Sequence, residues 1–131
     1  MEFQKLFEKF NLEGHLLLPD TDVAFKEIPW SKHPTFAGVE LKHILTARQS
    51  GGDFSFHLVR IAPDCKIGGH VHEKQLETHE VLAGKGVCIN NGTELKYEPG
   101  IISIFPAGVP HEVLAGSEGL YLFAKFMPAL C

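Results

Sequence analysis

From Val23 onward the chain breaks into short runs rich in Val, Ile, Leu and Phe, each bounded by Gly, Pro, Asn or Asp at intervals of about 8 to 12 residues. No segment beyond that point keeps a helical period, so the spacing predicts an all-β sandwich or barrel. The strands expected are 23–28, 39–47, 54–61, 77–82, 86–89, 94–97, 101–105, 112–115 and 120–126. Asn90-Asn91-Gly92-Thr93 is a hairpin signal, because Asn-Gly supplies the positive φ values of a tight type I′ turn. Gly84-Lys85-Gly86 reads as a second tight turn. Ahead of the strands, Phe3, Leu6, Phe7 and Phe10 fall at i, i+3, i+4 and i+7, which predicts a short amphipathic helix that caps or latches the domain. Asn11 and Gly14 end it, and Pro19-Asp20-Thr21-Asp22 reads as a turn. Many antiparallel strands, short turns and one terminal helix point to a small closed barrel or jelly roll.

At 131 residues the chain is expected to form one domain with a sizeable core. The 12 basic and 16 acidic residues are scattered, giving a net charge of -4 with no basic stripe, so nucleic acid is not an expected partner. Glu2, Lys5, Glu8 and Lys9 interrupt the apolar residues of 1–10, which argues against a secretory leader, and no apolar run approaches bilayer length. Cys65, Cys88 and Cys131 are odd in number and include no CxxC pair. They suggest neither a disulfide framework nor a zinc ribbon, and a reducing cytoplasm is the default location. Cys88 is expected in the core and Cys131 as a surface thiol.

His70, His72 and Glu77, followed by His111, form the constellation that carries chemistry. Histidines at i and i+2 on an extended strand share a face and can reach one ion. A barrel mouth would bring His111 from a separate stretch against them. Three imidazoles and one carboxylate suit Fe, Mn, Ni, Cu or Zn and disfavour Ca or Mg.

The spacing around these residues resembles the cupin superfamily. Its first motif, HxH, four residues, Glu, six residues and Gly, is matched by His70, His72, Glu77 and Gly84, although Asp64 stands where the motif has its leading Gly. Its second motif is matched by Gly100, Pro106, Gly108 and His111, with Ala115 in place of the closing Asn. The resemblance covers residues 64–115 and implies a small double-stranded β-helix, the cupin jelly-roll barrel, spanning 1–131 with 1–20 as helix and lead-in. It also implies that His70, His72, Glu77 and His111 are ligands of one divalent transition metal. The segment Ile28-Pro29-Trp30 and Phe36–Lys42 is more weakly similar to the lead-in of cupin domains in zinc-binding anti-sigma factors. No separate sigma-binding helical domain is expected with it, so the partner function is not carried over, and Trp30 is expected to cap the barrel and to help a dimer contact.

His79 lies two residues past Glu77 and shares its face, so it is the candidate catalytic group, either as a hydrogen-bond donor behind the ligands or as a general acid or base. Glu80 faces the opposite way, toward solvent or another subunit. The direction of His57 is not assigned by sequence, since both faces of strand 54–61 are apolar enough to be interior. His15, His33 and His43 are expected to be exposed, and Tyr97 and Tyr121 to be ordinary strand packing. Apolar residues on both faces of several strands predict a homodimer. The function expected is a metal-dependent, dioxygenase-like oxidoreductase acting on a small organic molecule in the barrel pocket. A non-catalytic metal or small-ligand sensor, or a Zn- or Mn-dependent isomerase or lyase, is the alternative.

Overall fold

The computed structural model describes residues 2–131, with side chains from Lys5 onward. The expected helix is present as α1, Glu2–Glu13. Phe7 is buried and Phe10 half-buried, whereas Leu6 is largely exposed; the side chains of Glu2 and Phe3 lie outside the described residues. Two short strands, β1 (His15–Leu18) and β2 (Thr21–Ala24), then pair across the Pro19-Asp20 turn. The strand expected over 23–28 stops at Ala24, because Phe25–Glu27 coil into a 3-10 turn that buries Phe25 beneath α1.

The main sheet uses β3 (Ser31–Lys32), β4 (Val39–Leu45), β5 (Ser55–Ile61), β6 (Lys66–His70), β7 (Leu76–Asn90), β8 (Thr93–Tyr97), β9 (Ile102–Phe105) and β10 (His111–Met127). Its order is β3-β4-β5-β10-β7-β8, with β6 joined to β10 and β9 to β7, and every pairing is antiparallel. The Asn90–Thr93 hairpin forms as expected, with Asn91 at φ 50° and Gly92 at φ 84°. Strand β4 ends at Leu45 rather than Ala47, because Thr46 caps a four-residue helix, α2 (Ala47–Ser50), in a reciprocal box with Gln49.

The expected tight turn at 84–86 is not a turn. Strand β7 runs through it without a break, and β10 likewise joins the separate strands expected at 112–115 and 120–126. The first halves of β7 and the second half of β10 pair with each other and with β9 and β5; the other halves pair with each other and with β8 and β6. The two strands thus carry the sheet around a corner and fold it over one core that includes Val59, Ile61, Val81, Val113, Leu120 and Leu122. At the corner a Cβ on Gly84 would lie 2.2 Å from the Gly119 carbonyl oxygen, and one on Gly86 2.2 Å from that of Leu114. The glycines are there for close strand approach, not for chain reversal.

Strand β5 shows why both of its faces read as interior. Val59 and Ile61 face the barrel core, while Phe56 and Leu58 join Phe7, Phe10, Tyr121 and Phe123 in a second cluster beneath α1. Tyr121 is therefore packing, as expected, with its ring 4.6 Å from that of Phe7. Much of the apolar surplus that suggested a dimer is covered by this helix. Trp30 belongs to the same cluster and donates to Asn11 Oδ1 at 3.2 Å, while Arg60 lies 4.0 Å from its ring centroid.

Lys42 fastens α1 from below: its side chain is buried, and Nζ donates to Asn11 Oδ1 and, at 2.6 Å, to the Phe25 carbonyl. Lys42→Met keeps the apolar stem and leaves that carbonyl without its donor. It is expected to cost about 1–3 kcal/mol in urea unfolding. A variant as stable as the parent would show that the buried ammonium does not hold the helix.

Candidate metal centre

His70 ends β6, His72 lies in the loop beyond, Glu77 is the second residue of β7 and His111 begins β10. The strand thus stops short of the second histidine of the HxH pair, but the ligand-type atoms of all four residues still lie within 4.8 Å of one another. The register explains the convergence, since His111 pairs directly with His70 and Glu77 pairs with Phe126 and Phe105. The turn after β9 ties the two motifs together. Gly108, at φ 82°, donates its N–H to the His72 carbonyl at 2.9 Å.

Asp64, which replaces the first motif's leading glycine, has φ 60°. The position demands a left-handed backbone, and Asp is among the few residues besides Gly that enter it readily. The departure from the motif is therefore conservative in backbone terms.

The backbone fixes which nitrogens face the site. His70 Nδ1 lies 2.8 Å from the Gly68 carbonyl and His111 Nδ1 3.1 Å from the Val109 carbonyl, so each ring has its Nε2 left over. His111 Nε2 in turn lies 2.8 Å from Glu77 Oε1, and His72 Nε2 lies 3.5 Å from the same oxygen. A carbonyl and a carboxylate are both acceptors, and a neutral imidazole has one N–H to give. The second contact of His111 requires a cation at Nε2, either a proton or a metal ion. With three nitrogens and one carboxylate oxygen, the donor set fits a transition metal.

Behind Glu77 runs a buried hydrogen-bond chain. His79 Nε2 lies 2.8 Å from Glu77 Oε2, His79 Nδ1 lies 3.0 Å from the Tyr97 hydroxyl, and Tyr97 meets Ser103 Oγ. The chain is satisfied in one sense, with Ser103 donating to Tyr97, Tyr97 to Nδ1, and Nε2–H to the carboxylate. Tyr97 is thus more than strand packing, contrary to expectation, and Ser103 was not singled out in the sequence at all. Strand alternation places Ser103 opposite His79, and only that register exposes its role.

Electrostatics favour donors ready for a metal. Burial acts to raise the Glu77 pKa, but His79 and His111 overcome it and hold the carboxyl below its ordinary range. Burial pushes His70 and His72 down, leaving their imidazoles neutral at pH 7. The ring of His111 stacks on Phe105 at 4.0 Å between centroids, which fixes its orientation. A cavity of about 110 Å3 touches His70, His72, Glu77 and His79 and is otherwise walled largely by apolar side chains such as Val59, Ile67 and Phe126. A larger surface groove of about 380 Å3 reaches His70 and His111 but neither His72 nor Glu77, so it is not where the donors converge.

The remaining histidines divide differently from expectation. His57 faces inward, fully buried, and burial with nearby His43 pushes its pKa to about 4. His43 is not an exposed bystander, because cross-strand pairing sets its Nδ1 2.8 Å from His57 Nδ1. His33 is half-buried and touches the cavity, while His15 is exposed, as expected, and pairs with Asp22. Glu80 lies on the outer face against Lys125 at 2.8 Å. Cys88 is buried and Cys131 exposed, both as expected.

Known proteins share this architecture. The structure resembles that of a predicted oxalate decarboxylase from Thermotoga maritima, with a TM-score of 0.72 and 24% identity, over 79% of this chain and 95% of that one. It also resembles KdgF from a Halomonas species, with a TM-score of 0.70 and 18% identity, over 79% of this chain and 88% of that one. In sequence, the chain is 26% identical over 76 residues to an oxalate-binding protein of Thermotoga maritima, an alignment covering 57% of this chain and 63% of that protein's length. The profile of the cupin domain matches residues 57–123, just over half of the chain. With both motifs inside that span and the bent double-layered sheet around them, the chain belongs to the cupin family.

Proposed function

We propose that this cupin holds one divalent transition metal on His70, His72, Glu77 and His111 and acts as a metal-dependent enzyme on a small, oxygen-chelating organic molecule. The observation that carries the reading is the small cavity of about 110 Å3 at the donor atoms, walled largely by apolar side chains. When bound, an ion such as Fe, Mn, Ni, Cu or Zn supplies Lewis acidity and, for the redox-active members, one-electron chemistry. The protein's part is to orient and to exclude water. Gly68 and Val109 fix two imidazoles, His79 holds the outer oxygen of Glu77, and Phe126 and Val59 keep the cavity dry.

Four protein donors leave a six-coordinate ion two further positions, enough for a chelating substrate or for substrate and dioxygen, which supports dioxygenase-like oxidation. Of the two roles expected for His79, the geometry favours the donor behind the ligands, since both its nitrogens are engaged within the buried chain. The name of the oxalate-binding relative supports a small dicarboxylate as ligand and favours, as the second reading, binding without turnover. Three unpaired cysteines support a reducing cytoplasm. Exposed Ile102 and Ile104 on β9, which pairs with β7, support a homodimer, checked by light scattering. Among the described residues, no helix is long and apolar enough to cross a membrane.

The test is metal analysis of freshly purified protein, calorimetry with oxalate, and oxygen uptake with β-diketones, thiols and catechols. Metal-dependent uptake with at least one of these is expected. Oxalate binding with no turnover would move the protein to the second reading. A protein that takes up no metal would overturn the enzymatic reading, and one that binds neither metal nor oxalate would overturn both.

A further inference from the structure

The geometry points to a second, thiolate-containing metal site formed by His43, His57 and Cys131, separate from the first and suited to a thiophilic divalent ion such as zinc. One atom from each of these side chains lies within 4.8 Å of the others, and no residue is shared with the first cluster. The two imidazoles face each other through Nδ1, at 2.8 Å, and Cys131 Sγ lies 3.7 Å from His43 Nδ1. Tetrahedral zinc with ordinary bond lengths has nitrogen–sulfur edges of about 3.6 Å and nitrogen–nitrogen edges of about 3.3 Å. The first matches. The second requires the rings to part by about half an ångström, which exchanges their mutual hydrogen bond for two metal bonds.

The site is held from outside. His57 Nε2 lies 2.7 Å from Ser55 Oγ, so an Nε2–H tautomer donating there leaves Nδ1 as a lone pair. The terminal segment that carries Cys131 is pinned along its length. Ala129 N–H donates to the Gly52 carbonyl at 3.0 Å, Leu130 N–H to Ser55 Oγ at 2.8 Å, and the Cys131 carbonyl accepts from Ala47 N–H at 2.6 Å. Ser55 thus braces both an imidazole and the segment bearing the thiol, so the donors are positioned before any ion arrives. His57 is buried, His43 half-buried and Cys131 exposed, which leaves the fourth coordination position open to solvent.

Both clusters reach one aromatic ring. Phe126 is 5.6 Å from His57 and 5.0 Å from His72 between ring centroids. Their chemistries differ, with three nitrogens and an oxygen in the first, and two nitrogens and a sulfur in the second. Soft thiolate directs the second toward zinc or copper and away from manganese. On binding, the Cys131 thiol gives its proton to solvent, and His43 moves its hydrogen from Nδ1 to Nε2. The thiolate and two neutral imidazoles then donate to the ion, with no change of oxidation state.

Cobalt(II) reads this site selectively, because a thiolate ligand produces a near-ultraviolet charge-transfer band that an all-nitrogen-and-oxygen site cannot. Titrating the full chain with cobalt(II) under a phosphine reductant is expected to give that band within two equivalents, the other equivalent going to the first donor set. Cys131→Ser should abolish it, His43→Ala should weaken cobalt binding at this site by at least tenfold, and Glu77→Gln should leave the band unchanged. Circular dichroism confirms folding in each case, and Cys131 and His43 are exposed enough for substitution to spare the core. No band at saturating cobalt would overturn the proposal. A band that survives in Cys131→Ser would do the same, since it would belong to another thiol.

Discussion

Glu77→Gln is expected to lower metal affinity at the first site by more than about 100-fold, beyond the 10–100-fold typical of losing a supporting partner. The substitution preserves volume, so the loss is chemical. One carboxylate oxygen faces His111 and His72, the other accepts from His79, and an amide can offer an acceptor to only one of the two sides. The measurement is manganese(II) binding by calorimetry in a Cys131→Ser background, which keeps the second cluster out of the count. His79→Ala should cost less, about 10–100-fold, because it removes the group that orients Glu77 and not a donor to the ion. Full manganese affinity in the glutamine variant would show that the ion is held elsewhere.

Gly84→Ala is expected to be the most destabilising single-methyl change in the chain. Two costs add at this position. Its φ of 79° lies in the left-handed region, and the new Cβ would sit 2.2 Å from the Gly119 carbonyl oxygen, a backbone atom that cannot rotate away. Left-handed strain of about 1–2 kcal/mol and overpacking of about 1–3 kcal/mol give a loss of about 2–5 kcal/mol. For a chain of this length that is about 6–20 °C in Tm. Gly92→Ala is the control, with φ 84° and no atom within 4 Å of the added Cβ, so it should lose only the backbone part, about 1–2 kcal/mol. Equal losses at the two positions would mean that strand crowding does not shape the corner.

These positions also mark where local reading stopped. Gly84-Lys85-Gly86 has the composition of a turn, and nothing within the segment says otherwise. It stays within strand β7, with Gly84 left-handed, because β10 approaches too closely for a side chain, and that approach is set by residues some thirty positions away. Strand β6, with two adjacent glycines, has almost no local strand signal and exists through its pairing with β10. By contrast, Asn91-Gly92 forms the expected hairpin, because a type I′ turn is a property of those two residues' own backbone preferences.

The candidate ligands divide in the same way. His70, His72, Glu77 and His111 were legible because their spacing, together with the glycines and proline around them, follows a family pattern. Nothing comparable marks Ser103, which is visible only once β9 is laid against β7. His43, His57 and Cys131 come from β4, β5 and the segment after β10, so no spacing within one stretch could have joined them.

By itself, the sequence determined the strand-rich class, the N-terminal helix and the Asn-Gly hairpin, which follow from local preference, and it singled out His70, His72, Glu77 and His111 as candidate ligands by their fixed spacing. Only the tertiary structure decided the corner through β7 and β10, the inward direction of His57, the buried chain behind Glu77 and the second cluster beside Phe126. Each of these depends on register between strands distant in sequence, and a one-residue shift of register would turn every one of those side chains to the other face.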